Sequence, residues 1–470
     1  MFPTLTEAQV ARIAAHGRVR QVQPGEVLIQ AGERPSRFFV VTAGRLELVR
    51  WAGGTEEIVA VLQRGMFTGE ATMLSGRPGL TQIRASDDPG AVIQLERDHL
   101  LALVQTDSEL SDILMRAFLL RRVELIAQGF GDAVLVGSIH SAGTLRIKEF
   151  LTRNGHPYSY IDLDRDAGVQ DILDHFHVIP EDVPVLVCRG TVVLRNPSNQ
   201  KIAECLGFNE AIDQTQVRDL IIIGAGPSGL AAAVYGASEG LDILVLESNA
   251  PGGQAGASSK IENYLGFPTG ISGQDLAARA YTQAQKFGAQ FMIAKGANRL
   301  LCDRKPYAIE IDNGQRVSAR TIIIATGVEY RRLALDNLSL FEGAGIYYGA
   351  TFVEAQLCGG EEVAVVGGGN SAGQAAVFLA RTAKRVHVLV RASGLAESMS
   401  RYLIRRLEES PNIVLRTQTQ IVALEGGDHL ERIRWRDNMT GNFETQDVRH
   451  LFVMTGAVPS TAWLNGCVAM

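Results

Sequence analysis

"DLIIIGAGPSGLAAAVYGASEGLDILVLES", residues 219–248, is the stretch on which the fold turns. A run of β-branched residues leads into the turn Gly224-x-Gly226-x-x-Gly229, a helix of small residues follows, and a second strand ends on Glu247. Glycines here permit a tight turn and let the backbone approach a pyrophosphate closely. The phosphates then sit at the helix amino terminus, where unpaired N–H groups point outward, and the distal carboxylate takes the ribose hydroxyls. The turn alone is a weak signal, but strand, helix and acid in this order make it specific. The uncharged run 220–238 has the length of a membrane span. Its glycines and Pro227 divide it into strand, turn and helix, so no span is expected.

A second copy stands at residues 361–391, "EEVAVVGGGNSAGQAAVFLARTAKRVHVLVR", with Gly367, Gly369 and Ala372 in the GxGxxA form and Asn370 and Ser371 opening the helix. Two nucleotide folds in one chain imply one site for a flavin dinucleotide, FAD, and one for a nicotinamide. The place of Glu247 holds Val390 in this copy, and Arg391 follows. With no acid for a free 2′-hydroxyl and a cation at hand, NADPH is favoured over NADH.

Further segments carry a family resemblance: "ESNAPGGQ" (247–254), "IENYLGFP" (261–268), "TIIIATGVEYRRL" (321–333) and "LFVMTGAVPSTAWL" (451–464). From about residue 218 to the end the chain resembles the low-molecular-weight thioredoxin reductases. The resemblance implies a homodimer with a flavin domain at 218–333, a nicotinamide-binding domain at 334–456 and a return to the flavin domain at 457–470. It also implies that Gly253, Gln254 and Asn263 line the flavin pocket and that Thr326 and Gly327 form the strand-end turn near it.

The chain departs from that family in three ways. Where the family reads C-A-T-C-D, ungapped counting from Gly367 gives Ala350-Thr351-Phe352-Val353-Glu354, so the acid alone remains, as a proton donor or a solvated helix residue. After the second nucleotide strand the family has a histidine and two arginines, and Arg391 followed by Ala392 stands here. The sequence ends at "NGCVAM", before the family's Gly-Asp segment at the flavin ribitol, so an incomplete flavin domain is expected.

Upstream, residues 1–128 show short glycine-punctuated strands and then an amphipathic stretch, the pattern of a β-roll with closing helices. The segment resembles the cyclic-nucleotide-binding fold. Gly69 and Glu70 match the pair that opens that family's phosphate cassette, but its arginine position falls on Gly79, with Arg77 two residues early. A bidentate phosphate contact would be weakened, so the module is either a cyclic-nucleotide site through Gly69, Glu70 and Arg77 or a degenerate docking surface. Residues 129–213 resemble the thioredoxin/glutaredoxin fold, with Val183-Pro184 at the cis-proline position. Where the dithiol belongs, residues 139–144 read "IHSAGT", and without a thiol there is no thiolate nucleophile.

The whole composition fits several folded domains: 470 residues, 46% hydrophobic and 20% charged, with a net charge of −6 that argues against a nucleic-acid partner. The amino terminus lacks the apolar core of a secretory signal. Cys188, Cys205, Cys302, Cys358 and Cys467 lie far apart with no CxxC or zinc-type spacing, so no metal is expected and a reducing cytoplasm is the simplest location. The expected fold is multidomain α/β: a β-roll with helices, a thioredoxin-like domain and two Rossmann-like domains. The expected function is an NADPH-to-acceptor flavin oxidoreductase of the thioredoxin-disulfide reductase type without its cysteine relay. Candidate acceptors are a thioredoxin-like protein bringing its own dithiol, a ferredoxin-like protein, a quinone or dioxygen. The alternative is a nucleotide sensor with little turnover.

Overall fold

The computed structural model describes residues 2–469 except 35, 53–54, 128–131, 140, 166–181, 190, 259, 351 and 465. The chain enters through the helix Glu7–Ala14, held by a capping box in which Thr6 and Gln9 satisfy each other's backbone N–H. Two antiparallel sheets follow, one ordered Arg18–Val22, Gly90–Glu96, Arg37–Ala43, the other Val27–Ile29, Gln82–Ala85, Leu46–Ala52, Thr55–Leu62. Alternation along Arg37–Ala43 sends Phe38 to the side where Phe67 and Phe118 meet it edge-on or tilted. Phe118 belongs to the closing helix Ser108–Ala127, so this helix seals the roll.

The middle unit is a four-stranded sheet in the order Val192–Arg195, Val185–Cys188, Ala133–Gly137, Ser159–Asp162. The last two strands run parallel and are joined by the helix Ala142–Arg153. Ser141 caps that helix, and Thr144, Ile147, Phe150 and Leu151 bury its inner face. The Val183–Pro184 bond is cis. A helix read from "VQDILDHF" (169–176) lies outside the described residues.

From residue 217 two parallel sheets build the remainder. The first has six strands, ordered Gln290–Ile293, Ile243–Glu247, Val217–Ile223, Arg316–Ile324, Tyr307–Ile311, Ala297–Leu301, of which the first four are parallel. Val217–Ile223 is central, and its second half, Leu220–Ile223, is continuously apolar and buried, as a strand covered on both faces must be. The second sheet has five parallel strands, ordered Ile346–Tyr347, His450–Val453, Glu362–Val366, Arg385–Leu389, Ile413–Arg416. An antiparallel sheet, Thr419–Gly426 to Phe443–Asp447, packs Trp435 against it. The chain crosses between the two blocks twice, and the crossings pair as strands Val328–Tyr330 and Ala457–Pro459. Near the end of the chain Cys467 is disulfide-bonded to Cys302. No helix of the described residues is long and apolar enough to cross a membrane.

Candidate functional site

The first glycine turn lies at the carboxyl end of the central strand, the place where open α/β sheets bind ligands. Gly224 has φ +101°, and a Cβ there would stand 2.3 Å from the Ala325 carbonyl oxygen. Gly229 lets the helix Pro227–Ser238 close on the turn, since its Cβ would meet the Gly224 oxygen at 1.9 Å. Gly226, the N-cap, is open instead, with Gly253 Cα the nearest atom at 3.9 Å. The three glycines therefore divide the work: two make the turn compact and one faces the ligand space.

That space is a cavity of about 870 Å³ lined by Gly224, Gly226, Glu247, Gly253, Gln254, Thr326 and Gly327. Glu247 organises the turn, its Oε2 accepting the Ala225 N–H at 2.7 Å and Oε1 those of Asn249 at 2.9 Å and Ala250 at 3.1 Å. Burial pushes its carboxyl pKa up, against the pull of these donors. Oε2 keeps one lone pair for a ribose hydroxyl. Thr326 donates to the Ser460 carbonyl at 2.7 Å, so the returning segment is fastened to the strand-end turn, and Trp463 from that segment lines the cavity. Elsewhere in the lining Tyr330 and Tyr348 stack nearly parallel, and Tyr347 has its hydroxyl pKa raised by burial and then by the charge of Glu354. A glycine cradle at a helix start, a carboxylate at the end of the next strand and tyrosines in the lining fit a flavin dinucleotide.

Asn263 is not part of this assembly. The Ile261–Ile271 bridge closes a small loop that carries Asn263 to the surface, so the expectation for this residue is corrected. Gly229 is likewise a packing residue and does not line the cavity. Three contributors escaped the sequence: Arg146, Glu149 and Arg153 of the middle unit's helix line the same cavity. Nothing local in their sequence marks them, because the contact is between units.

At the second turn Gly367 has φ +145°, with a Cβ position 2.2 Å from the Met454 carbonyl oxygen, and Gly369 caps the helix Asn370–Leu379. Asn370 accepts the Ser400 N–H at 2.7 Å and the Ser398 hydroxyl donates to the Gly368 carbonyl at 2.8 Å, folding residues 398–400 over the turn. Ser371 is exposed, Ala372 is buried beneath the helix, and Arg391 is exposed at the strand end beside buried Val390. Ala350 is buried, and burial pushes the Cys358 thiol up to about 12, which makes Cys358 inert as a nucleophile.

In the β-roll a cavity of about 150 Å³ is lined by Gly69, Glu70, Gly79, Arg37 and Arg121 among others. Arg77 is outside it, which corrects its assignment to a cyclic phosphate. Gly76, at φ +67°, turns the chain before Arg77 reaches the cavity. Its guanidinium lies over Phe208 at 4.3 Å, donates to the Asn154 carbonyl at 3.1 Å and meets the Tyr281 hydroxyl at 3.4 Å, joining the roll to the middle unit and the flavin-side block. Glu70 faces Arg122 at 3.5 Å, and Arg122 donates to the Gly155 carbonyl at 2.6 Å. Arg77→Ala is expected to cost about 1–3 kcal/mol, seen as an earlier urea transition, while any thermal shift with cyclic AMP stays that of the wild type. A cyclic-AMP shift present in wild type and lost in R77A would return Arg77 to the ligand.

Comparison with known proteins agrees with this geometry. Residues 218–470 match the model of the pyridine nucleotide-disulphide oxidoreductase family, and residues 19–107 match the cyclic nucleotide-binding domain. The chain belongs to the pyridine nucleotide-disulphide oxidoreductase family and is an oxidoreductase of the thioredoxin-reductase-like kind. It is 36% identical over 245 residues to a thioredoxin reductase of Ureaplasma parvum, covering 52% of this chain and 77% of that one. It is 33% identical over 257 residues to that of Escherichia coli O157:H7, covering 54% and 78%. Among solved structures, Lactococcus lactis thioredoxin reductase in its FR conformation superposes with a TM-score of 0.50 at 25% identity, covering 53% of this chain and 80% of that one.

Proposed function

We propose that this chain is an FAD-dependent NADPH oxidoreductase that delivers electrons directly from its cofactor site to an external acceptor, without an internal dithiol. The observation that carries the reading is the glycine-cradled cavity at the strand ends in a chain that holds a second nucleotide turn, and the resemblance, counted from Gly367, sets Ala350 and Val353 at the positions of a cysteine pair. A flavin bound there would supply the two-electron chemistry between nicotinamide and acceptor. The helix start at Gly226 would hold the diphosphate, and Glu247 would orient the ribose. Tyr330, Tyr347 and Tyr348 supply aromatic surface to the cavity lining. Glu354, on the helix Phe352–Leu357 and among the lining residues, would hold a proton for the reaction. Arg391, exposed at the strand end by the second turn, would attract the 2′-phosphate of NADPH. The acceptor is a partner that brings its own dithiol, a ferredoxin-like protein, a quinone or dioxygen.

The contact chain from Glu70 through Arg122 to Gly155 favours a regulatory role for the β-roll alongside turnover. A sensor without turnover would bind cofactors tightly and reduce no acceptor.

Anaerobic addition of NADPH to the flavin-loaded protein is expected to bleach its visible band within seconds, and NADH to act more slowly. Reoxidation by ferricyanide should be rapid, and reduction of an added thioredoxin disulfide slow. Ala350→Cys with Val353→Cys is expected to raise thioredoxin reduction at least about tenfold, because a relay thiolate beside the cofactor replaces a direct collision. A flavin-loaded protein that NADPH does not bleach would sink the enzyme reading. A loaded double variant with no gain would count against the alignment of residues 350–354.

A further inference from the structure

Ala142, Leu145, Arg146, Glu149 and Arg153 recur at helical spacing, so they form one stripe of the Ala142–Arg153 helix, and all five line the dinucleotide cavity. The opposite face fills the middle unit's own core. A helix from the middle unit, which has no cysteine at residues 139–144, thus forms one wall of the cavity.

At the last turn of this helix Arg153 is 15% exposed, with Nη1 3.1 Å from Glu149 and Nη2 donating to the Gly253 carbonyl at 2.6 Å. Its Nε is buried with no hydrogen-bond partner. Gly253 abuts the helix start, since a Cβ built on it would fall 2.9 Å from Gly226 Cα. The guanidinium therefore stands beside the unpaired N–H groups that await a diphosphate. The middle unit is fixed in this position by further ties to the cavity wall: Asn154 donates to the Asn249 carbonyl at 3.3 Å, and Asn199 to the Asn249 side-chain oxygen at 3.0 Å. Burial raises the pKa values of both Glu247 and Tyr330, and the charge of Arg153 offsets part of that rise at each.

We propose that Arg153 is a cofactor-binding residue supplied by the middle unit, pairing with the diphosphate of the dinucleotide, and that Glu149 tempers this by competing for the same guanidinium. The inference rests on the reading of the cavity as a flavin-dinucleotide site. An arginine is suited to this pairing because its planar fork matches phosphate oxygens. Here it is already desolvated and oriented, so little further ordering opposes binding. The cost of carrying a buried cation is met in the free protein by Glu149 and the Gly253 carbonyl. When the anion arrives, the bond to Glu149 is the one that yields. The middle unit, redox-silent by sequence, then has a physical role, since without it the diphosphate loses a charge partner.

The test is a titration of the full-length apoprotein with FAD, ADP and adenosine, read by flavin fluorescence and by competition, for wild type, Arg153→Met, Arg153→Lys and Glu149→Gln. Losing one charge-assisted contact is expected to weaken FAD and ADP about ten- to a hundredfold in R153M and to leave adenosine unchanged. R153K should recover part of the loss. E149Q should tighten FAD severalfold, since the competing carboxylate is gone. R153M with wild-type affinity for FAD and ADP overturns the proposal, as does an equal loss for ADP and adenosine, which is the mark of a packing role alone. If R153M does not fold, an unchanged affinity in E149Q overturns it. A wild type that takes up no flavin overturns the reading of the cavity, and the proposal with it.

Discussion

Gly224→Ala is expected to give a folded protein that carries no flavin. Its φ of +101° lies where a side chain is strained, and its Cβ would meet the Ala325 carbonyl oxygen at 2.3 Å and Thr326 Cα at 3.3 Å. These are backbone atoms of a sheet-end turn and cannot swing aside. The conformational penalty alone is about 1–3 kcal/mol. Relieving the clash means opening the turn, which carries Gly226 and the helix start away from Thr326. Because the diphosphate needs those groups in register, FAD affinity should fall at least about a hundredfold. The visible-to-ultraviolet absorbance ratio after loading with FAD measures this directly. Gly240→Ala is the control: φ is +81° but no atom lies within 4 Å of its Cβ, and the site is at the far end of the same helix. G240A should keep its flavin, and a G224A protein as yellow as wild type would remove the turn from the cofactor site.

Cys467→Ser is expected to lower the stability of the carboxyl-terminal part of the chain by about 2–5 kcal/mol. The bond joins residues 165 apart in sequence, so in the unfolded chain it closes a long loop. It also pins a tail that includes Ser460, acceptor of the Thr326 hydroxyl, and Trp463 in the cavity wall. Under oxidising conditions C467S and C302S should unfold at lower denaturant than wild type and to the same extent as each other. Dithiothreitol should bring wild type to their level and leave the variants where they were. Identical transitions for all three proteins, with and without reductant, would show that the bond carries no stability.

The two nucleotide folds were legible because each is written locally: an apolar strand, glycines whose geometry has few alternatives, and a small-residue helix within thirty or so residues. Glu247 could be named from its spacing, although its oxygens chiefly serve the backbone of Ala225, Asn249 and Ala250. Asn263 could not be placed, since its position depends on the Ile261–Ile271 bridge and not on its neighbours. Arg77 escapes sequence reasoning for a related reason. A two-residue offset is trivial in sequence, but after the turn at Gly76 it directs the side chain out of the roll and into a neighbouring unit. The Cys302–Cys467 bond was equally hidden, because pairing among distant cysteines cannot be deduced from spacing. Arg153 belongs to the same class: its partner Gly253 lies a hundred residues away, and its meaning appears once two units are in contact.

The paired crossings Val328–Tyr330 and Ala457–Pro459 form a two-stranded ribbon between the blocks that carry the two nucleotide turns. A ribbon of that kind, taken alone, is an axle about which one block can swivel on the other. Here the axle is splinted. The middle unit's helix presses Leu145 into the core of the second block at one end and grips Gly253 of the first block with Arg153 at the other. Arg406 of the second block is paired with Glu262 of the first. Any swivel that exchanges what faces the cavity must first release one end of that helix, so the middle unit restrains the turning of the other two blocks.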